Sequence, residues 1–130
     1  SPDARIRGVQ IQHMVPDGQD VIIGCVRDPQ FGPLLMFGSG GLEVEGLKDI
    51  SFCLTPLNDT EADDLISGTW AGRKLNGFRS IPKADVSIVK EILQRISFLV
   101  NNIPEIKEIE INPLRVFHSG AMALDVRVSL

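Results

Sequence analysis

The chain has 130 residues, 43% of them hydrophobic and 23% charged, with a formal net charge of −4. This is the size and composition of one soluble globular domain with a sizeable core. Nucleic-acid binding is disfavoured, because no basic run occurs and only 5% of residues are aromatic, and no apolar run reaches the ~18 residues of a membrane-spanning helix.

The first residues, Ser1 to Arg5, are polar and do not read as a signal peptide. A strand-like run begins by about Gly8 with no initiator Met before it, which reads as a piece cut from a longer protein or the tail of a processed one. From Gly8 to Met14, Val9, Ile11 and Met14 fall among Gln10, Gln12 and His13, predicting a strand. Val15-Pro16-Asp17-Gly18 sets a turn. Val21 to Val26 is apolar on both faces, as in a strand covered on both sides. The two runs predict an antiparallel hairpin. Cys25 lies in the second and Cys53 in a later apolar stretch, without CxxC spacing; both are expected as buried free thiols of a reducing cytoplasm.

Arg27-Asp28-Pro29-Gln30-Phe31-Gly32-Pro33 is rich in turn residues and predicts a loop. Arg27 faces either phosphate oxygens or a nearby acid. Leu34 to Phe37 predicts a short strand. Gly38-Ser39-Gly40-Gly41 follows, where backbone N–H groups either form a nest for an anion or simply turn. Its spacing fits neither the dinucleotide fingerprint nor the P-loop. Ile50 to Leu54 alternates as a strand, closed by Thr55-Pro56. Asn58 and Glu61 form a capping box for a helix running to about Ser67-Gly68. The helix dipole suffices to explain the acids of its first turns, Glu61, Asp63 and Asp64. Trp70 is read as packing, and Arg73 to Pro82 as a loop. Asp85 caps the clearest helix, which runs to about Asn101. Its core stripe is Val89, Ile92, Leu93, Ile96, Leu99 and Val100, and Asn101-Asn102 with Pro104 ends it.

Glu108-Ile109-Glu110-Ile111-Asn112-Pro113-Leu114 then alternates as a strand with one buried and one polar face. Pro113 has no backbone donor, so the ladder should break there. His118-Ser119-Gly120 is turn-like, and Met122, Leu124, Val126 and Val128 alternate after it. Folding about Ser119 brings Asp125 beside Asn112 and Pro113, within a residue of register. Glu110, Asn112 and Asp125 then converge at one end of a hairpin, and such hard oxygen donors suit Mg²⁺. An ordinary hairpin with a solvated acidic face has the same spacing.

Five motifs in order carry a family resemblance over nearly the whole chain: Arg-Asp-Pro-Gln-Phe-Gly-Pro, Phe-Gly-Ser-Gly-Gly, Leu-Lys-Asp, Glu-Ile-Asn-Pro-Leu and Ala-Leu-Asp. The chain resembles the C-terminal half of the ATP-grasp domain in the NDP-forming acyl-CoA synthetases, relatives of the succinyl-CoA synthetase β subunit. The resemblance implies an α+β fold, a mixed or antiparallel sheet with helices packed on it. It implies that residues 1–130 are a single domain within a larger multidomain enzyme. The reaction implied interconverts acid, CoA and ATP with acyl-CoA, ADP and phosphate through a phosphohistidine, in the cytoplasm.

The resemblance also implies roles for single residues. Asn112 and Asp125 hold the Mg²⁺ of bound ATP or ADP. Glu110 lies near the phosphohistidine, and Gly40 and Gly41 belong to a catalytic loop followed by an acid, Glu43 or Glu45. Gln12, Asp20, Arg27 and Gly38 serve the nucleotide. Two positions depart from the family: Asp20 stands where Glu is usual, and His13 where an acid is common. Neither His13 nor His118 matches the phosphorylated His. The implied partners are the nucleotide and the CoA-binding and phosphohistidine-bearing domains, oligomerisation being possible, and the isolated 130 residues are expected to be inactive. The alternatives are a synthetase-like regulatory region of a protein acetyltransferase, a non-catalytic assembly module, and another ATP-grasp ligase.

Overall fold

In the computed structural model, residues 15–40 and 49–130 are described. The organising strand is β1 (Gln19–Asp28), in which Val21 to Cys25 are all buried. Val21, Ile23 and Cys25 belong to the core, and Ile22 and Gly24 between them are buried as well; β1 is central, pairing antiparallel with β2 (Gly32–Ser39) on one side and β4 (Glu108–Val116) on the other. β3 (Ile50–Leu54) adds to β2, as its alternation predicts. β5 (Ala121–Ala123) and β6 (Val126–Ser129) both pair with β4. The strand order is β3-β2-β1-β4-β5, with β6 beside β4, and every pairing among the described residues is antiparallel. This is the expected α+β sheet. The expected strand over residues 8–14 lies outside the described residues.

The Arg27–Pro33 stretch is a tight hairpin rather than the expected loop. Arg27 and Asp28 end β1, and Gly32 and Pro33 begin β2, with Arg27 opposite Pro33. Asp28 Oδ1 accepts from the N–H groups of Gln30 (2.8 Å) and Phe31 (2.9 Å), and Gly32 takes φ 84°. A carboxylate that mimics a backbone turn, followed by a residue free to adopt positive φ, leaves only three residues for the bend.

The helices cover one face. α1 (Asp59–Ser67) has the capping box, Asn58 accepting from Glu61 N while the Glu61 side chain accepts from Asn58 N. α2 (Trp70–Lys74) was not legible; five residues carry no periodicity. It is capped by Thr69, whose Oγ1 accepts from Gly72 N at 2.9 Å. Trp70 does pack, edge-on against Phe78 with centroids 4.8 Å apart. α3 (Val86–Asn102) is capped by Asp85, as expected. Val89, Leu93, Ile96 and Val100 of α3 join Val21, Ile23, Cys25, Leu35 and Phe37 of the sheet in one core. Each such side chain contributes about 1.5–3 kcal/mol on burial.

Among the described residues no helix packs on the opposite sheet face, and the site is built there. The ladder breaks where Pro113 predicts, although the strand itself continues to Val116. Val21 pairs with Leu114 and Ile23 with Ile111, so Ile22 alone stands opposite Asn112 and Pro113. That extra residue is a β-bulge. It resets the alternation, so that Ile109 before it and Leu114 and Val116 after it are all core residues. The return strand is interrupted at the same level. Asn112 N donates to Asp125 O and Leu124 N to Pro113 O, both at 3.0 Å.

Candidate functional site

Because Ile109 faces the helices, Glu110 and Asn112 project from the open face of β4. Glu110 pairs with Arg127 of β6, which puts Arg127 and Asp125, two residues apart, on that face as well. The four side chains line one cleft of about 170 Å³. The expected convergence of Glu110, Asn112 and Asp125 is therefore present, at the predicted register. Next to Glu110 across the sheet is Gly24, which adds no side chain to the floor. A Cβ there would press on Met36 Cε at 3.0 Å and Ile109 O at 3.2 Å.

The donor set is two carboxylates and an amide, with one guanidinium beside them. Arg127 Nε stands 3.7 Å from Asp125 Oδ2, and these side chains are 80% and 56% exposed. Among the described residues no three His, Cys, Asp or Glu side chains form a metal cage. Hard oxygens few in number and open to solvent fit Mg²⁺, which keeps waters and takes phosphate oxygens as its remaining ligands. Arg127 was missed by sequence reasoning; its cross-strand pairing with Glu110 was the signal, once the register is known.

Asp20 lies on the same face, where Arg115 grips it in a fork: Nε to Oδ1 at 2.8 Å and Nη2 to Oδ2 at 3.1 Å. Asp20 is four residues from Gly24, about 13 Å along the strand. Each carboxylate oxygen keeps lone pairs beyond the fork, so acceptance from a ribose hydroxyl remains open to it. Arg115 is 95 positions away in sequence, and only the β1–β4 pairing joins them.

Gly38 and Gly40 are explained first by close backbone approach. A Cβ on Gly38 would run into the Asp49 carbonyl oxygen, and one on Gly40 would come within 2.7 Å of Val21 O. Gly40 N donates to Asp20 O at 3.3 Å. Between them Ser39 is tied to Asp49 twice, Ser39 N to Asp49 O at 2.9 Å and Ser39 Oγ to Asp49 Oδ2 at 2.8 Å. The Asp49 carboxylate also accepts from Trp70 N (2.9 Å) and Ala71 N (2.8 Å), at the start of α2. Burial raises the Asp49 pKa, but the hydrogen bonds from Ala71, Trp70 and Ser39 outweigh it and hold the carboxyl below its ordinary value. The glycine segment is thus anchored to a helix by the Asp of the Leu-Lys-Asp motif. Gly38→Ala is expected to lower stability by about 2 kcal/mol, as overpacking does, read as a fall in melting temperature of the chain.

Arg27 is placed away from this face. Its guanidinium donates to the carbonyls of Val100 (2.9 Å), Ile106 (3.0 Å) and Ile103 (3.4 Å), at the end of α3. The expected phosphate or acid partner gives way to helix-end carbonyls, a natural site for a cation. Gln12, His13, Gly41, Glu43 and Glu45 lie outside the described residues.

Residues 1–130 match the ATP-grasp domain family throughout. The chain is 44% identical to acetate–CoA ligase (ADP-forming) I of Archaeoglobus fulgidus over 129 residues, 99% of this chain and 19% of that protein. It is 42% identical to acetate–CoA ligase (ADP-forming) I subunit beta of Pyrococcus furiosus, again over 99% of this chain, and covers 56% of that subunit. The chain thus spans about half or less of the length of these relatives. Among solved structures it is similar to the dinucleotide-forming acetyl-coenzyme A synthetase 1 of Ca. Korarchaeum cryptofilum in complex with coenzyme A and Mg-AMPPCP. That similarity has a TM-score of 0.85 and 38% identity, over 89% of this chain and 55% of the other. With this match over its whole length, and an antiparallel sheet that carries the cleft on the face opposite its described helices, the chain belongs to the ATP-grasp domain family.

Proposed function

We propose that this chain is the metal- and nucleotide-holding half of an ATP-grasp domain in an ADP-forming acyl-CoA synthetase of the cytoplasm. The observation that carries the reading is the meeting of Asn112, Asp125 and Glu110 in one cleft on the open face. Relatives named for acetate and for 4-hydroxybutyrate support an acid–thiol ligase without fixing the acid. The open face also supports further protein against it: Val26, Phe52 and Leu54 are 45%, 57% and 45% exposed there, an apolar band beside the acidic cleft. In this reading CoA-binding and phosphohistidine-bearing parts of the same enzyme complete the site, and the 130 residues alone are inactive.

The chemistry assigns each side chain a task. Asn112 and Asp125 hold Mg²⁺ through oxygen atoms. When bound, the metal neutralises charge on the phosphate chain and orients it. The Asn112 N–H to Asp125 C=O bond fixes the two ligands relative to one another. Asp20, steadied by Arg115, accepts from the ribose. Glu110 faces the incoming imidazole, its carboxylate accepting from the ring N–H and so keeping the other nitrogen free to attack. Calorimetric titration of the full-length protein with ADP tests the reading. Binding in the micromolar range that requires Mg²⁺ is expected, and absence of Mg²⁺-dependent binding would overturn it in favour of a degenerate regulatory or assembly domain.

A further inference from the structure

Among the described residues Arg127 is the cation that lines the cleft, and the role just derived leaves it unused. It is not committed to the fold: its side chain is 80% exposed, and its contact with Asp125 is a loose 3.7 Å at a single nitrogen. In contrast, Arg115 nearby is locked on Asp20 by two bonds at 2.8 and 3.1 Å. Arg27, too, is spent on the carbonyls that end α3. Pairing with Glu110 across the strands places Arg127 beside the carboxylates while its long stem leaves the head free to reorient. A planar guanidinium fits two phosphate oxygens at once, a geometry the single Asp125 contact does not use.

We infer that Arg127 is a catalytic residue for phosphoryl transfer, releasing Asp125 to the metal and gripping the terminal phosphoryl group of the bound nucleoside triphosphate. The inference rests on the proposed function. A neutral imidazole nitrogen attacks the γ-phosphorus, a P–N bond forms, and the bond to the β–γ bridging oxygen breaks. ADP leaves with that electron pair. Arg127 donates to the equatorial oxygens throughout, where charge must be held while the phosphoryl group is between partners. The single contact with Asp125 is one that Arg127 exchanges for phosphate oxygens when the nucleotide binds.

The decisive difference is between a ligand with a γ-phosphoryl group and one without. Full-length protein with Arg127→Met is titrated calorimetrically with Mg²⁺-ADP and with the Mg²⁺ complex of the non-hydrolysable β,γ-methylene analogue of ATP. The analogue is expected to weaken roughly 10-fold, as loss of a charge-assisted bidentate contact predicts, and ADP by less than about 3-fold. Phosphoenzyme formation from γ-labelled ATP should fall roughly 100-fold, as on losing one donor to developing charge, with Arg127→Lys recovering part of it. Equal weakening of both ligands, or of neither, would overturn the inference, since an arginine serving only Asp125 cannot sense the γ-phosphoryl group. Asp125→Ala run alongside separates the two claims. If it leaves Mg²⁺-dependent binding intact, the metal site itself is wrong; if it abolishes binding while Arg127→Met shows no ATP-selective loss, only the role of Arg127 fails.

Discussion

Asp125→Ala in the full-length protein is expected to lower acyl-CoA-forming turnover roughly 10³-fold, about 4 kcal/mol of transition-state stabilisation. Nothing in the fold opposes this as a clean experiment. The carboxylate is 56% exposed, and the bond that holds the return strand at this level uses the Asp125 backbone carbonyl, which the substitution keeps. What is lost, in the proposed function, is the charged metal ligand. Asn112 remains, a neutral oxygen too weak to hold a hard divalent ion in open water alone, and the cleft's charge falls to one carboxylate, Glu110, facing one guanidinium, Arg127. Asp125→Asn keeps an oxygen but not the charge and should fall between wild type and Ala. Titrating activity against Mg²⁺ checks the cause: the variant should need a far higher concentration for half-maximal rate, with unchanged melting temperature. A rate within a few-fold of wild type would remove Asp125 from the metal site.

Much of this geometry was legible because the information is local. Pro113 cannot donate, so a break in the ladder was expected there, and folding about Ser119 brought Asp125 beside Asn112 and Pro113 within a residue of register; the structure realises the break as a bulge. The capping box at Asn58 and Glu61 and the stripe on α3 were readable for the same reason. What escaped was non-local. Arg115 meets Asp20 across 95 positions, and Arg27 meets the end of α3 across more than 70. Charge alone cannot say which acid or carbonyl an arginine will find, because that depends on sheet order. The turn-rich composition of Arg27–Pro33 suggested a loop, but only three residues make the bend, since Asp28 and Gly32 perform their turn functions from within the strands. Asp49 was read only as part of a motif. Its task became visible when α2, too short to show a period, was in place.

That task predicts the largest loss of stability. Asp49→Ala removes an acceptor that receives Trp70 N, Ala71 N and Ser39 Oγ, leaving two N–H groups at the start of α2 and a fully buried serine without it. Hydrogen bonds to a charged group contribute about 1.5–3 kcal/mol each, and those exposed to water recover part, so a cost of about 3 kcal/mol is expected. Chemical denaturation of the 130-residue chain, followed by its single tryptophan, Trp70, reports this directly, because the probe sits on the helix that Asp49 caps. Acid gives the second readout. The Asp49 carboxyl is held below its ordinary value in the fold, whereas the unfolded chain has it near 3.9. Its contribution is therefore complete above about pH 4 and is lost as pH falls through the lower folded value. Asp85 adds a parallel loss, since its carboxyl is lowered by the hydrogen bonds from Gly120 and Ile88. Asp49→Asn, which cannot ionise, should show weaker stability at pH 7 and a shallower decline below pH 4. An acid profile parallel to that of wild type would mean that Asp49 is not what ties the glycine segment to α2, and that the anchor of this part of the site must be sought elsewhere.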